Sequence, residues 1–370
     1  MENRIIANYL PQFHPIPEND LWWGKGFTEW TNVVKAKPLY KGHNQPQLPA
    51  DLGFYDLRLN DIMIQQAELA RSHGVYGFCY YHYWFNGKRL LEKPIDTMLN
   101  AGSPDFPFML CWANENWTRR WDGFDDQVLM RQEYSEDDDL DHIQFLVQYF
   151  EDNRYIKVDG KPVLVIYRPW LMPNPSATAE IWREYCHKIG INLYLCHMVF
   201  GYGDGWDTLI PGFDAAIDFE PFGIRRPKEK LFSDHSTIQE LFRVDSFFKS
   251  LLSKCGNQEF NIKKLNIKSY ESMFNSLRSL HDVPFKCFPS LCPGWDNTAR
   301  RGSNPSLILH DNSPVYFEEW YKKVINDFKP FSSEENLVFI NAWNEWAEGN
   351  HLEPCNKYGL GFLNSLKNNL

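Results

Sequence analysis

Leu337-Val338-Phe339-Ile340-Asn341-Ala342-Trp343-Asn344-Glu345-Trp346-Ala347-Glu348-Gly349-Asn350-His351-Leu352-Glu353-Pro354 is the stretch from which the rest of the chain is read. Its first four residues form a short apolar run of the kind a buried strand requires. Two carboxylates follow, Glu345 and Glu348, three residues apart and set among Trp343, Trp346, Asn341 and Asn344. Acid–base work on a sugar needs two carboxyl groups held at different pKa values. Sugar recognition needs aromatic faces and amide hydrogen bonds. Alone, an acidic pair at this spacing is commonly the solvated face of a helix start. The strand ahead of it and the indoles beside it argue instead for a site at a strand end.

Seven further apolar runs match this one. They are Ile5–Tyr9, Gly74–Tyr80, Phe108–Ala113, Val163–Tyr167, Leu193–Met198, Ala215–Phe219 and Phe285–Leu291. Helical patterns separate them, among them Asp61–Ser72, Asp138–Phe150, Ala177–Lys188 and Tyr316–Phe328. Alternation of this kind predicts an α/β fold, and eight parallel strands close most simply as a (β/α)8 TIM barrel. The 370 residues are expected to form one catalytic barrel. Two connections are long. Residues 10–60 form a long β1–α1 loop rich in Pro, Trp and Gly, of the type that serves as a lid or binding loop. Residues 221–284 read as a helical insertion between strands six and seven, carrying the basic run Arg225-Arg226-Pro227-Lys228.

Composition narrows the function. Fourteen Trp, 18 Tyr and 27 Phe exceed what a core needs and suggest an aromatic cleft. A net charge of −10 argues against nucleic acid or an anionic membrane as partner and suits a neutral glycan. The eight cysteines are scattered without a CxxC pair, which favours free buried thiols over disulfides or a zinc site. No signal-peptide core and no apolar run long enough for a membrane span is visible, so a cytoplasmic location is expected.

Barrel enzymes gather their chemistry at the C-terminal strand ends. Here those ends supply Tyr9, Gln12 and His14; Tyr81, His82, Tyr83 and Trp84; Trp112, Asn114 and Glu115; Tyr167; His197; Glu220; Trp295; and Trp343 and Asn344 beside Glu345 and Glu348. The two glutamates are the candidate catalytic pair, and the other residues are candidate substrate contacts. Competing readings stand beside them. The Tyr80–Trp84 run also reads as an aromatic cap on the core, since strand alternation sends only half of it inward. His82 alone reads as a structural histidine, and Asn114-Glu115-Asn116 as a turn. Asp125-Asp126 and Asp137–Asp139 resemble metal-binding acidic pairs, but a loop and a helix start explain them better. Arg119-Arg120 suits a phosphate, a sugar acid or pairing with these acids. No metal and no cofactor are expected.

Several blocks together carry a family resemblance: Tyr9–His14, Trp22–Trp30, Gly77–Phe85, Cys111–Thr118 and Asn341–Pro354. The chain resembles the WbsX-type glycosyltransferases of lipopolysaccharide and O-antigen biosynthesis, and through them glycoside hydrolase family 99, the endo-α-mannosidases and endomannanases. The resemblance implies a retaining reaction in which the substrate's own 2-hydroxyl attacks C1 to give a 1,2-anhydro sugar. By position, Glu345 resembles the base and Glu348 the acid, so drier surroundings are expected for Glu348. It implies cleavage of an α-linked glycan, with glycosyl transfer in surface-polysaccharide assembly as the alternative and a non-catalytic glycan-binding barrel as a third reading. An oligosaccharide or polysaccharide is the expected partner.

Overall fold

The computed structural model describes residues 3–119, 124–201, 207–226 and 265–369. Nine parallel strands form a nearly closed (β/α)8 barrel: β1 (Arg4–Tyr9), β2 (Val75–Phe85), β3 (Phe108–Trp112), β4 (Lys161–Ile166), β5 (Tyr194–Val199), β6 (Ala215–Asp218), β7 (Cys287–Phe288), β8 (Ser290–Leu291) and β9 (Leu337–Ile340). Neighbours follow the order β7-β6-β5-β4-β3-β2-β1-β9-β8. Nine segments fill eight positions because Pro289 splits the seventh. Proline offers no N–H to a ladder. Its first half pairs with β6 (Ile217 opposite Phe288) and its second with β9 (Leu291 opposite Ile340). The Pro289 carbonyl still accepts from Phe339 N at 2.9 Å, which carries the sheet across the break.

The helices among the described residues are α1 (Pro17–Trp23), α2 (Glu29–Lys35), α3 (Asn60–Arg71), α4 (Lys93–Ala101), α5 (Glu136–Phe150), α6 (Pro175–Lys188), α7 (Tyr270–Asn275), α8 (Thr298–Arg301), α9 (Pro314–Asp327) and α10 (Gly361–Lys367). Several of the helices begin at side-chain caps. Ser135, Asn174 and Ser313 accept from backbone N–H groups in the first turns of α5, α6 and α9. Proline opens α6 and α9, where its missing N–H costs nothing. Asp137–Asp139 lie in the first turn of α5, the favourable end of its dipole. Asp138 accepts from Trp84 Nε1 at 2.8 Å and Asp139 from Thr178 Oγ1 at 2.6 Å, so these two acids tie α5 to its neighbours. The side chains of Asp125 and Asp126 and all of Arg120 lie outside the described residues.

The long connection expected between the first strand and its helix, residues 10–60, holds α1 and α2 and packs down on the barrel mouth. Trp30 meets Trp346 with ring centroids 5.6 Å apart, and Pro49 forms a backbone bridge with Cys355. Of the segment between strands six and seven, residues 227–264 lie outside the described residues. At its root, the basic pair expected on an inserted subdomain is buried instead. Arg225 Nε lies 2.6 Å from Asp218, and Arg226 Nε lies 3.3 Å from Glu220. The seven described cysteines are buried and unpaired. Among the described residues no helix is long and apolar enough to cross a membrane.

Gly77 shows how tightly β2 is held. A Cβ there would lie 2.6 Å from the Pro107 carbonyl oxygen and 2.8 Å from Ile156 Cδ1, one backbone and one core atom. Gly77→Ala is expected to cost about 1–3 kcal/mol through overpacking. A urea midpoint equal to that of the parent would show that the strand yields more easily than this geometry implies.

Candidate active site

The site is built on the turn after β9. Asn344–Glu345 pairs antiparallel with Asn350–His351, and Trp346–Glu348 forms one turn of 3-10 helix between them. Gly349 closes that turn at φ 58°, a conformation L side chains rarely adopt, and a Cβ there would press on Gln47 and Asp296. This hairpin sets both glutamates at the floor of a cleft of about 410 Å³ at the C-terminal mouth of the barrel.

The floor is ionic. The Arg300 guanidinium, on α8, reaches three carboxylates. Nη2 lies 2.7 Å from Glu345 and 2.6 Å from Glu29, and Nη1 lies 2.6 Å from Glu348. Nε also donates to Glu29 Oε1 at 3.1 Å. Glu29 is the first residue of α2 and is fully buried; its Oε2 has no hydrogen-bond partner. Arg300 is itself placed by Asp296, whose Oδ1 caps Thr298 at the start of α8 and whose Oδ2 meets His43 Nε2 and Gln45 Nε2, each at 2.7 Å. Asp296 N donates to the Glu348 carbonyl at 2.6 Å, so one residue fixes both the helix bearing Arg300 and the turn bearing Glu348.

The two candidate catalytic carboxyls differ. The Glu345 side chain is 7 % exposed and that of Glu348 18 %. Burial pushes the Glu345 carboxyl up to about 8, with Glu348 and Glu29 adding to the rise and Arg300 opposing it. Glu345 is therefore the drier member, the reverse of the surroundings expected from the resemblance.

The walls are aromatic. Tyr81 and Tyr83 from β2, Trp117, Tyr167, Phe200, Phe219, Phe222 and Trp295 line the cleft with Gln12, Glu115 and Arg168. Glu115 lies 2.8 Å from Arg168. Trp295 Nε1 and Gln12 Nε2 are buried donors without a protein partner. Of the residues expected from the sequence, Gln12, Tyr81, Tyr83, Glu115, Tyr167, Trp295, Glu345 and Glu348 are brought together here.

The others are not, and strand alternation accounts for most of them. His82 and Trp84 point out of the barrel against α5. His82 Nε2 lies 3.1 Å from His142 Nε2, and Trp84 stacks on that same ring. Burial lowers the His82 pKa to about 3, so it stays neutral. Trp112 packs outward on His142 and Trp182. His197 is held by the Met198 carbonyl and the Ile210 N–H. Tyr9 and Trp343 lie in the core, where Tyr9 donates to Gln66 at 2.6 Å and Trp343 packs on Phe78. His14 is buried beside Asp56 and Arg58, and desolvation lowers it to about 4. Asn114 brackets the Arg168 backbone, bonding both its N–H and its carbonyl. Asn344 does the same for Leu10. Glu220 is buried in the ion-pair cluster with Arg225 and Arg226. These residues support the site's walls and do not line it. Sequence reasoning missed Arg300 and Glu29. The signal for Arg300 was the Asp296-Asn297-Thr298 cap, which starts a helix just past a strand end.

Residues 5–366 match the family described as Glycosyltransferase WbsX. The chain belongs to the WbsX family. Two curated relatives, both called WxcX and from strains of Xanthomonas campestris pv. campestris, are each 41% identical over 367 residues; the match covers 98% of this chain. The chain spans about half the length of these relatives, 49% in each case. Among solved structures, a glycoside hydrolase-like protein superposes with TM-score 0.63 at 14% identity, covering 99% of this chain and 93% of its own. The GH99 endo-α-mannosidase from Bacteroides thetaiotaomicron superposes with TM-score 0.57 at 14% identity, covering 100% of this chain and 96% of its own. At that identity the likeness is one of fold. The family is thus that of the WbsX glycosyltransferases, and the fold is one shared with glycoside hydrolase-like proteins.

A second buried carboxyl underpins the turn. Glu353 accepts from Trp346 Nε1 at 2.6 Å, Gln66 Nε2 at 2.7 Å and Tyr55 Oη at 2.8 Å. Burial pushes it up to about 7 despite these donors. Glu353→Ala strands three buried donors and is expected to cost about 3 kcal/mol or more. A carboxyl raised in the native state contributes stability that is complete below its ordinary value near 4.5 and is lost as pH climbs through about 7. Glu353→Gln should therefore flatten the fall in stability across that window. Parallel stability–pH curves from urea denaturation would contradict the assignment.

Proposed function

We propose that this WbsX protein acts on an α-linked glycan with retention, using Glu345 and Glu348 and the substrate's own 2-hydroxyl. One carboxylate takes the 2-hydroxyl proton while that oxygen attacks C1. The bond from C1 to the leaving oxygen breaks, and the other carboxyl delivers a proton to that oxygen. Water then opens the 1,2-anhydro sugar at C1, giving a proton to the group that served as acid, while the other carboxyl returns its proton to the 2-oxygen. What carries this reading is the pair of carboxyls on one turn, held at different dryness on the floor of an aromatic cleft at the barrel's C-terminal mouth. Tyr81, Tyr83, Trp117, Tyr167 and Trp295 would offer faces to the sugar, and Gln12 Nε2 and Trp295 Nε1 would donate to its oxygens.

The family description favours a second reading, in which a sugar hydroxyl opens the intermediate and the product is a longer glycan. The cleft's charges support a glycoside donor over a nucleotide sugar. Arg168 and Arg300 enter it already matched to Glu115, Glu29, Glu345 and Glu348, and a diphosphate would face those carboxylates.

Aryl α-glycosides, α-mannosides first, provide the test. Glu345→Gln and Glu348→Gln are each expected to lower kcat/KM by about 10²–10⁴-fold, the usual worth of a general acid or base. The variant lacking the acid should recover most on a dinitrophenyl glycoside, whose leaving group needs little protonation. Added sugar acceptors separate transfer from hydrolysis by their products. Full activity in both variants would falsify the assignment.

A further inference from the structure

The reaction needs one ionised and one protonated carboxyl, yet the cleft floor holds three carboxylates and an arginine whose single fork touches them all. We infer that Glu29 and Arg300 form a positioning pair that leaves Glu345 and Glu348 exactly one proton to share at neutral pH, carried on Glu345. This deepens the proposed function and rests on it for its meaning, though not for its test.

Geometry carries the inference. Glu29 is fully buried and opens α2, in the connection between β1 and β2, a different element from either member of the dyad. One of its oxygens takes both Nε and Nη2 of Arg300, at 3.1 and 2.6 Å, while the other has no partner. Both contacts fall on one oxygen of a fully buried carboxyl, so the guanidinium faces Glu29 as well as the dyad. Arg300 is thus largely matched before it reaches the dyad, and what remains of its field is divided between Glu345 at 2.7 Å and Glu348 at 2.6 Å. Two adjacent carboxyls with so little counter-charge cannot both ionise cheaply, and they titrate as a pair in two steps. The proton settles on the drier member, which is Glu345.

The other groups around Glu345 do not change the balance. Tyr81 and Tyr83 on β2 feel its charge, and burial holds both phenols well above their ordinary range, so they remain neutral. His351, opposite Asn344 in the hairpin, is kept neutral by burial, which lowers it to about 4. Glu115 and Arg168 form their own pair on the far wall. Arg301, the neighbour of Arg300 on α8, lies along the same cleft wall. The direction of the Glu345 shift agrees with this arrangement: burial and two carboxylates outweigh one arginine.

The pair has a signature that a purely structural role lacks, because its two members act in opposite senses. Glu29→Gln removes a negative charge and gives Arg300 wholly to the dyad, so the shared proton should leave at lower pH. Arg300→Gln removes the cation that meets all three carboxylates, so the proton should be held to higher pH. The readout is the infrared carbonyl stretch of protonated carboxyls in the full chain, labelled with ¹³C-glutamate and titrated from pH 5 to 10. Glu353 and Glu220 are also buried carboxyls pushed to about 7, so the Glu345 band is assigned by its loss in Glu345→Gln. In the wild type this band should persist at pH 7 and disappear around 8. The midpoint should fall by about one pH unit or more in Glu29→Gln and rise by about as much in Arg300→Gln. Midpoints that move together, or a wild-type protein with no such band at pH 7, would overturn the inference. If one variant fails to fold by circular dichroism, the direction of the shift in the other decides. No substrate enters the measurement, so inactivity toward glycosides would sink the proposed function and leave this result standing.

Discussion

The Arg300 guanidinium joins three parts of the chain that lie far apart in sequence. Glu29 comes from the connection after the first strand, Arg300 from the helix after the seventh, and Glu345 and Glu348 from the turn after the last. Desolvating four charged groups is costly. Their mutual attraction offsets this only where the geometry is good and the remaining polar atoms are satisfied. Here the bonds of Arg300 to the three carboxylates include three of 2.6–2.7 Å, yet one oxygen of Glu29 stays unmatched. A core built for stability alone would place apolar side chains there. Retaining the cluster, and surrounding it with Asp296, His43 and Gln45 to hold α8 in place, makes physical sense for a site whose charges must be fixed before substrate arrives.

This constraint also changes the meaning of the long connection after β1. Its Pro, Trp and Gly content suggests a lid. In the structure it delivers Glu29 to Arg300, Trp30 to Trp346, Gln45 and His43 to Asp296, and Gln47 to His351. Each contact ends on the turn that bears the glutamates or on the helix that bears Arg300. The segment therefore braces the floor of the cleft, while Gln12 and Trp23 from the same segment line its wall.

Much of the fold was legible because apolar runs and helix caps are local. Most observed strands lie within the expected runs, although the second continues past Tyr80 to Phe85 and the seventh is split at Pro289, and α5, α6 and α9 start at Ser, Asn and Ser followed by acids or proline. The glutamate pair was legible for the same reason, as a motif attached to a strand. Choosing substrate contacts was harder. A run such as Tyr81-His82-Tyr83-Trp84 offers four attractive side chains, and the pleat admits only two to the cleft. Composition favours the histidine and the indole as strongly as the phenols; only the phase of the strand separates them. Asn114 and Asn344 mislead differently. Each sits at a strand end with an amide suited to sugar, and each spends that amide on the backbone of a neighbouring loop. Arg300 and Glu29 were out of reach because their importance comes from meeting each other across 271 residues of chain.

The charge of the floor bears on which chemistry it can serve. Three carboxylates face one guanidinium, so the cluster stays anionic even with a proton on Glu345. Breaking a glycosidic bond develops positive charge at C1 and the ring oxygen, and an anionic, water-poor floor stabilises that charge more than it stabilises the neutral glycoside. A nucleotide-sugar donor brings a diphosphate, which the same floor repels. The electrostatic preference is therefore for a donor that enters neutral and becomes cationic in the transition state. Under the mechanism proposed above, hydrolysis and transglycosylation would share one first step, and the acceptor that follows would decide between them.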